Sequence, residues 1–320
     1  MENENQQFKK LLKFKGDHGT LVGLRILNNI LKVVTLGIYY PWARASVLKY
    51  MYAESEFMGS PFVFHGTGKE MFIGFLKAIA LLIIIYVCFF LCMASHNIVI
   101  IIVGVLLLYA GILILAPLAV HGYYRYRSSR SSWRGIHFGY RGNVKEFMKL
   151  YLVEGFLTVI TIGIYSSWFH VNIRKYTFGH LRFGNIEFKF TGNGGDLFLI
   201  RLKGILLSII TLGIYSFWYI KDLIAFEFKN LKMIQDGKEI NFRSTLTGVD
   251  VFGMFIINYL IVIFTLGIGT GIAINRIMRK VFENIELDNE VNVNTLVQTE
   301  EEYKDAAGDD LAGMLDISWA

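Results

Sequence analysis

Charge is the scarcest commodity in this chain. Only 18% of its 320 residues are Asp, Glu, Lys or Arg, 54% are apolar, and the mean hydropathy is +0.45. A soluble domain carries roughly 25% charged residues, so the composition argues against an ordinary soluble enzyme and for a multi-spanning membrane protein. From Ala78 to Tyr124 there is no Asp, Glu, Lys or Arg at all. The middle of that stretch, Met93-Ala94-Ser95-His96-Asn97, is a short polar break, so two spans joined by a tight turn are expected, each near the roughly 20 residues a bilayer requires.

Other absences narrow the chemistry. Cys88 and Cys92 are the only cysteines and lie in an apolar helix with no His or carboxylate nearby, which reads as small packing residues rather than a disulfide or metal site. The seven His residues are scattered, with no ligand pair at i, i+4 beside a carboxylate, so no metal is expected. His65-Gly66-Thr67-Gly68-Lys69 and Gly192-Asn193-Gly194-Gly195-Asp196 complete neither a phosphate loop nor a dinucleotide fingerprint; they read as strand-to-helix turns. No Ser/His/Asp or Cys/His constellation emerges from spacing. No enzyme activity, cofactor or nucleic-acid partner is expected. Met1 to Gly16 is polar and basic without an apolar h-region, so no cleavable signal is expected.

What is present is organised as repeats, which must be sought before motifs. Thr35-Leu36-Gly37-Ile38-Tyr39 returns as Thr161-Ile162-Gly163-Ile164-Tyr165, as Thr211-Leu212-Gly213-Ile214-Tyr215 and as Thr265-Leu266-Gly267-Ile268-Gly269. Three copies carry Trp three residues later, at Trp42, Trp168 and Trp218. An aromatic-x-Gly marker precedes the apolar blocks at Phe14-Gly16, Phe64-Gly66, Tyr140-Gly142 and Phe190-Gly192, with Leu246-Gly248 as a weaker fifth. The expected fold is an all-α integral membrane protein of about five units: 14–63, 64–139, 140–189, 190–245 and 246–280. Each would be an apolar helix stopped by the Gly of the turn, then an amphipathic interfacial helix capped by Ser166 or Ser216 or opened by Pro41. Period-two runs around Gly59, Gly184-Asn185 and Asp236-Gly237 predict small cytoplasmic β-hairpins.

The repeated Thr-Leu-Gly-Ile-Tyr-x-x-Trp, the Phe-x-Gly entrances and the run Trp133-Arg134-Gly135-Ile136 resemble the YjgN-type bacterial inner-membrane proteins, a family of unknown function, over about residues 8 to 290. The resemblance implies a multi-pass protein of the bacterial inner membrane with no established activity. The sequence departs from the pattern at Gly269, where the Tyr of the string is lost, and in its acidic tail.

That tail, 281–320, holds 11 acidic residues and one basic one, leaving 31 basic against 15 acidic in residues 1–280. It reads as dispensable for folding from about Glu283. The cations before it cluster after apolar segments, as at Arg125, Arg127, Arg130 and Arg134, which makes those four candidates for anionic lipid head groups. Folding each unit as a helical hairpin keeps every cluster on one face; six single spans do not.

Aligning the units on the Thr of the turn exposes one polar row. Asn28, Glu154, Gly204 and Asn258 lie seven residues before it, and Arg25, Tyr151, Arg201 and Phe255 lie ten before it. A charge in a spanning segment costs about 2.5 to 3.5 kcal/mol on insertion scales. Glu154 is therefore singled out, with Arg25 or Arg201 as its expected partner, either as a packing contact or as part of a polar pathway. Two functions follow: binding or translocation of a small solute or lipid through a polar cleft, or a non-catalytic scaffold whose basic face binds anionic lipid or a protein.

Overall fold

Apolar helices, most of them short and stopped at glycine, alternate with short period-two strands, so the chain turns back on itself repeatedly. A computed structural model describes residues 8–299. Five helical hairpins follow one another: α1 (His18–Val34) with α2 (Tyr40–Ala53), α3 (Gly68–Ala94) with α4 (Ile98–Ser129), α5 (Val144–Ile160) with α6 (Ser166–Gly179), α7 (Gly194–Ile210) with α8 (Ser216–Asn230), and α9 (Gly248–Phe264) with α10 (Thr270–Glu283). Between them run the strands β1 (Leu12–Phe14), β2 (Ser55–Phe57), β3 (Ser60–Phe64), β4 (Ser131–Trp133), β5 (Ile136–Tyr140), β6 (Leu181–Phe183), β7 (Ile186–Phe190), β8 (Leu231–Gln235), β9 (Lys238–Ser244) and β10 (Ile285–Leu287).

The strands overturn the expectation of an all-α protein with small separate hairpins. They pair in chain order into one antiparallel ten-stranded sheet. Its two ends meet where Lys9 and Leu287 exchange backbone hydrogen bonds of 2.8 and 3.0 Å, which makes the sheet a nearly closed barrel. The physical reason is that an isolated two-stranded hairpin is marginal in water, and unpaired edges are a liability that closure removes. One face of the sheet is filled by a single cluster that includes Phe57, Trp133, Phe183, Met233, Ile240 and Leu287. The indole of Trp133, 1% exposed, satisfies its N–H on the Ser60 carbonyl at 3.0 Å.

The chain beyond Glu283 belongs to this sheet. Ile285 and Leu287 are fully buried, and Val291 joins the same cluster. The Gln235 side chain holds Asn292 through both its amide atoms, and the Asp288 carboxylate accepts from the backbone and side chain of Asn241 at 2.8 and 2.7 Å. The expectation of a dispensable tail from about Glu283 is therefore wrong as far as Thr299, which still hydrogen-bonds to Gly184; the rest of the tail lies outside the described residues.

The hairpins are not equivalent. Among the described residues only α3 and α4, the enlarged second unit, are long and apolar enough to cross a membrane, which corrects the expectation that every unit is built around a spanning helix. The first helices of the other four hairpins have 17 residues each, or roughly 25 Å at 1.5 Å per residue, against a hydrocarbon core of about 30 Å. Consecutive hairpins overlap. Trp42, Trp168 and Trp218 lie so close against Gly68, Gly194 and Gly248, at the start of the following helix, that any Cβ there would stand within 2.5 Å of the indole. The aromatic-x-Gly marker has a similar origin: at Gly16, Gly66, Gly142 and Gly192 the ring two residues earlier folds over the glycine and leaves no room for a side chain.

Candidate functional site

The four Thr-containing turns share one construction. Each Thr hydroxyl donates to the carbonyl four residues back, closing the end of the first helix, and accepts the N–H four residues ahead, opening the second. For Thr211 these are Leu207 O at 2.7 Å and Tyr215 N at 2.9 Å. One side chain thus satisfies orphan groups of two helices. The expected Ser166 and Ser216 caps are corrected: the helix starts after Tyr165 and Tyr215, without a side-chain cap of its own. Tyr39, Tyr165 and Tyr215 stack on Trp42, Trp168 and Trp218 at 5.8 to 6.2 Å, which fixes the ring that overlaps the next hairpin.

The residue between Thr and Gly is the unusual one. Leu36, Ile162, Leu212 and Leu266 all have φ near +50° and are 92 to 94% exposed. A left-handed residue with a Cβ costs roughly 1–2 kcal/mol, and glycine is the residue that adopts it freely; for β-branched Ile162 it is a true outlier. Four bare apolar side chains held in an unfavourable conformation, at tips whose backbone is satisfied internally, are suited to hydrocarbon.

The polar row is used inside the hairpins. Asn28 donates to Ala43 O at 3.3 Å and Ser46 Oγ at 2.9 Å, and Glu154 Oε1 accepts from Asn172 at 2.9 Å. Ser46 and Asn172 both stand eleven residues after the Thr of their turn. Gly204 lies against the Tyr219 ring. The structure thus pairs Glu154 with Asn172 rather than with Arg25 or Arg201. Arg25 is half-buried on α1, and Arg201 donates to Ser166 and Ser167 at 3.2 and 3.4 Å. Tyr151 stacks edge-on with Phe169. Asn258 is the exception: it is 7% exposed and neither amide atom has a partner. It lines a pocket of about 430 Å³ between α8, α9 and α10, together with Phe255.

The four arginines proposed for head groups are engaged in different ways. Arg127 donates to Tyr52 Oη at 3.0 Å, with its guanidinium 5.3 Å from the Tyr52 ring centre, and Arg130 pairs with Glu70 at 3.2 Å. Arg125 is half-buried on α4, and Arg134 sits in the β4–β5 turn over Trp133. Exposed lysines stand elsewhere, with Lys69 and Lys145 in the first turns of α3 and α5 and Lys149 a turn further along α5.

One ionic cluster has no sequence signal beyond an isolated carboxylate between two phenylalanines. Glu227 on α8 meets His170 Nε2 at 2.5 Å and Arg174 Nε at 3.2 Å, both on α6. Burial would raise the Glu227 carboxyl, but the His170 hydrogen bond and the Arg174 charge outweigh it and hold it below the usual carboxylate range. The cluster ties the second helices of two consecutive hairpins.

The model of a family described as bacterial protein of unknown function (DUF898) matches residues 9–191, 185–222 and 225–314. Among curated proteins the chain is similar to "Inner membrane protein YjgN" of Salmonella typhimurium, 28% identical over 167 residues, which is 48% of this chain and 40% of that protein. The protein of the same name from Escherichia coli K12 is 28% identical over 145 residues, covering 45% of this chain and 34% of its own length. The matched segment thus spans well under half the length of these relatives. No solved structure matches.

Proposed function

The chain belongs to the DUF898 family of bacterial proteins of unknown function, and on that premise we propose that it is a non-enzymatic protein of the bacterial inner membrane that binds lipid. In this reading α3 and α4 cross the bilayer, the four short hairpins enter it with their tips and stop, and the sheet stands outside. Exposed Lys69, Lys145 and Lys149 supply the attraction for anionic head groups. The relatives named as inner membrane proteins support the location.

The observation that carries the proposal is the set of four apolar tips, each 92 to 94% exposed with φ near +50°. In water such residues gain nothing from their strained conformation. In hydrocarbon, burying each side chain contributes about 1.5–3 kcal/mol, enough to offset the strain. Passage of a solute has less support, since Asn28 and Glu154 of the polar row are taken up by contacts within their hairpins and the inner face of the sheet is packed with aromatic and aliphatic side chains.

The test is a fluorophore on Leu212→Cys, with Cys88 and Cys92 replaced by Ala, in liposomes containing brominated lipid. Strong quenching at the tip and little at Gly237→Cys in the β8–β9 turn is expected. Equal, weak quenching at both would remove the membrane placement.

A further inference from the structure

All five helical hairpins leave the sheet from one rim. Each joins two strands that are neighbours in the ten-stranded order, while the tight turns at Met58-Gly59, Arg134-Gly135, Gly184-Asn185 and Asp236-Gly237 close the opposite rim. Every helix packs on the next in chain order, and α10 packs back on α1. Gly271 of α10 lies close against the Val22 backbone, and the Asn275 amide donates to Asp17 O at 2.7 Å, which closes the seam between the last hairpin and the first. The helices thus form a closed ring above the sheet.

The ring is uneven in depth. Trp42, Trp168 and Trp218 are the third residues of α2, α6 and α8, near the tips of their hairpins, yet each lies on the first residue of the next hairpin, Gly68, Gly194 or Gly248. The tip of one hairpin therefore stands over the foot of the next. The short hairpins lean along the ring and reach less deep than their length of roughly 25 Å, whereas α3 and α4 are long enough to go on through the bilayer. Exposed apolar side chains are not confined to the tips: Leu27, Val34, Val153, Ile160, Leu206 and Phe264 carry an apolar wall along the first helices of the short hairpins. In the membrane placement given above, ten helices occupy the leaflet beside the sheet and two occupy the other. A helix is about 10 Å across, so the eight short helices displace on the order of 600 Å² of lipid from one leaflet only.

Area added to one leaflet favours a membrane bent with that leaflet on its convex side, and binding by helices inserted shallowly into one leaflet depends on curvature. We propose that the ring is a one-sided wedge: the protein collects on, and stabilises, membrane that is convex on the side of its sheet. The partner is the curved lipid surface itself. This inference rests on the membrane placement above and adds a preference that a plain two-helix anchor lacks.

The experiment incorporates the full chain, with Cys88 and Cys92 replaced by Ala and a fluorophore on Lys238→Cys, into giant vesicles of phosphatidylethanolamine and phosphatidylglycerol. A narrow tether is pulled outward from the vesicle, and an impermeant quencher separates molecules whose sheet faces outwards from those whose sheet faces the lumen. Outward-facing molecules should be enriched at least about twofold in the tether relative to a lipid dye, and lumen-facing ones depleted. Leu36→Asp, Ile162→Asp, Leu212→Asp and Leu266→Asp together set charge at the four tips, where hydrocarbon disfavours it. Asp tolerates the left-handed conformation, so this variant should keep the fold and lose the enrichment. Equal density in tether and vesicle, enrichment of the lumen-facing molecules instead, or undiminished enrichment in the four-Asp variant overturns the proposal. If brominated lipid quenches a fluorophore at position 212 while the tether shows no sorting, the membrane placement stands and the wedge falls; without quenching at 212 both fall.

Discussion

The long hairpin and the four short ones solve the same turning problem with opposite chemistry. Between α3 and α4 the turn is polar: Ser95 Oγ donates to Cys92 O at 2.8 Å, and Asn97 caps α4 by accepting from Val99 N at 2.9 Å. Between the short helices the turn is apolar, and a single Thr hydroxyl does the capping from within. The helices differ in the same sense, since α3 and α4 have 27 and 32 residues where the short pairs have 14 to 17. A turn that emerges into water can leave its capping to exposed Ser and Asn; a turn that ends in hydrocarbon has no water to rely on. Turn composition and helix length thus single out the same hairpin as the one fit to cross a membrane.

The largest expected effect removes what both kinds of hairpin stand on. Ending the chain after Asn284 deletes β10 and opens the sheet at the Lys9–Leu287 bridge. Loss of buried Ile285 and Leu287 should cost several kcal/mol, each site being worth about 2–5 kcal/mol on truncation to Ala, and little folded protein should survive in detergent. Ending it after Thr299 keeps the described contacts and should melt near the parent. Similar melting of both truncations would detach the sheet from the stability of the hairpins.

Next in size is the overlap between consecutive hairpins. Gly194→Val puts methyl groups where the Trp168 ring and backbone already lie within 3 Å; overpacking of this kind costs about 1–3 kcal/mol. The long hairpin has the same overlap at Gly68 on Trp42, and between its own two helices a further close approach of Gly104 on Cys92. Gly104→Val should be partly relieved by Cys92→Gly, which removes the Cβ it meets, whereas no small replacement frees the backbone contact at Gly194. Measuring both pairs by thermal melting separates packing between neighbouring hairpins from packing between the two helices of the long one.

The turns should then separate by environment. Thr211→Val removes both hydrogen bonds at an apolar tip, an expected loss of about 1–2 kcal/mol. Asn97→Ala removes one in water and should cost less, near the lower end of the cap range of about 0.5–2 kcal/mol. Equal losses would break the comparison.

The smallest effect is in pH. The hydrogen bond from Lys280, helped by Thr247, pulls the Asp250 carboxyl down to about 2. Because the folded value lies below the unfolded one, the stabilisation is complete above the ordinary Asp range and disappears as pH falls through about 2. The melting difference between the parent and Asp250→Asn should therefore shrink steadily on acidification below about pH 4.

Turn chemistry was legible in the residues because it is local: Thr, Gly and the hairpin dipeptides act within four or five positions, and all sit in turns. The role of Leu36 and its counterparts was partly hidden, since propensity alone puts glycine in a left-handed position. Sheet closure was not legible, because Lys9 and Leu287 lie at opposite ends of the described chain and strands of three residues carry almost no periodicity. Alignment found the polar row but named the wrong partners. Glu154 is paired within its own hairpin by Asn172, a neutral residue that a search for opposite charge passes over. The meeting of Glu227 with His170 and Arg174 depends on overlap between hairpins, which no spacing encodes.

The account stands on the difference between apolar and polar tips, and aqueous thiol labelling in intact membranes addresses it directly. In a background with Cys88 and Cys92 replaced by Ala, single cysteines at Leu36, Ile162, Leu212 and Leu266 should resist a water-soluble maleimide, while cysteines at Ser95 and Asn97 should react readily. Fast labelling at all six positions would contradict the account, because the four short hairpins would then end in water.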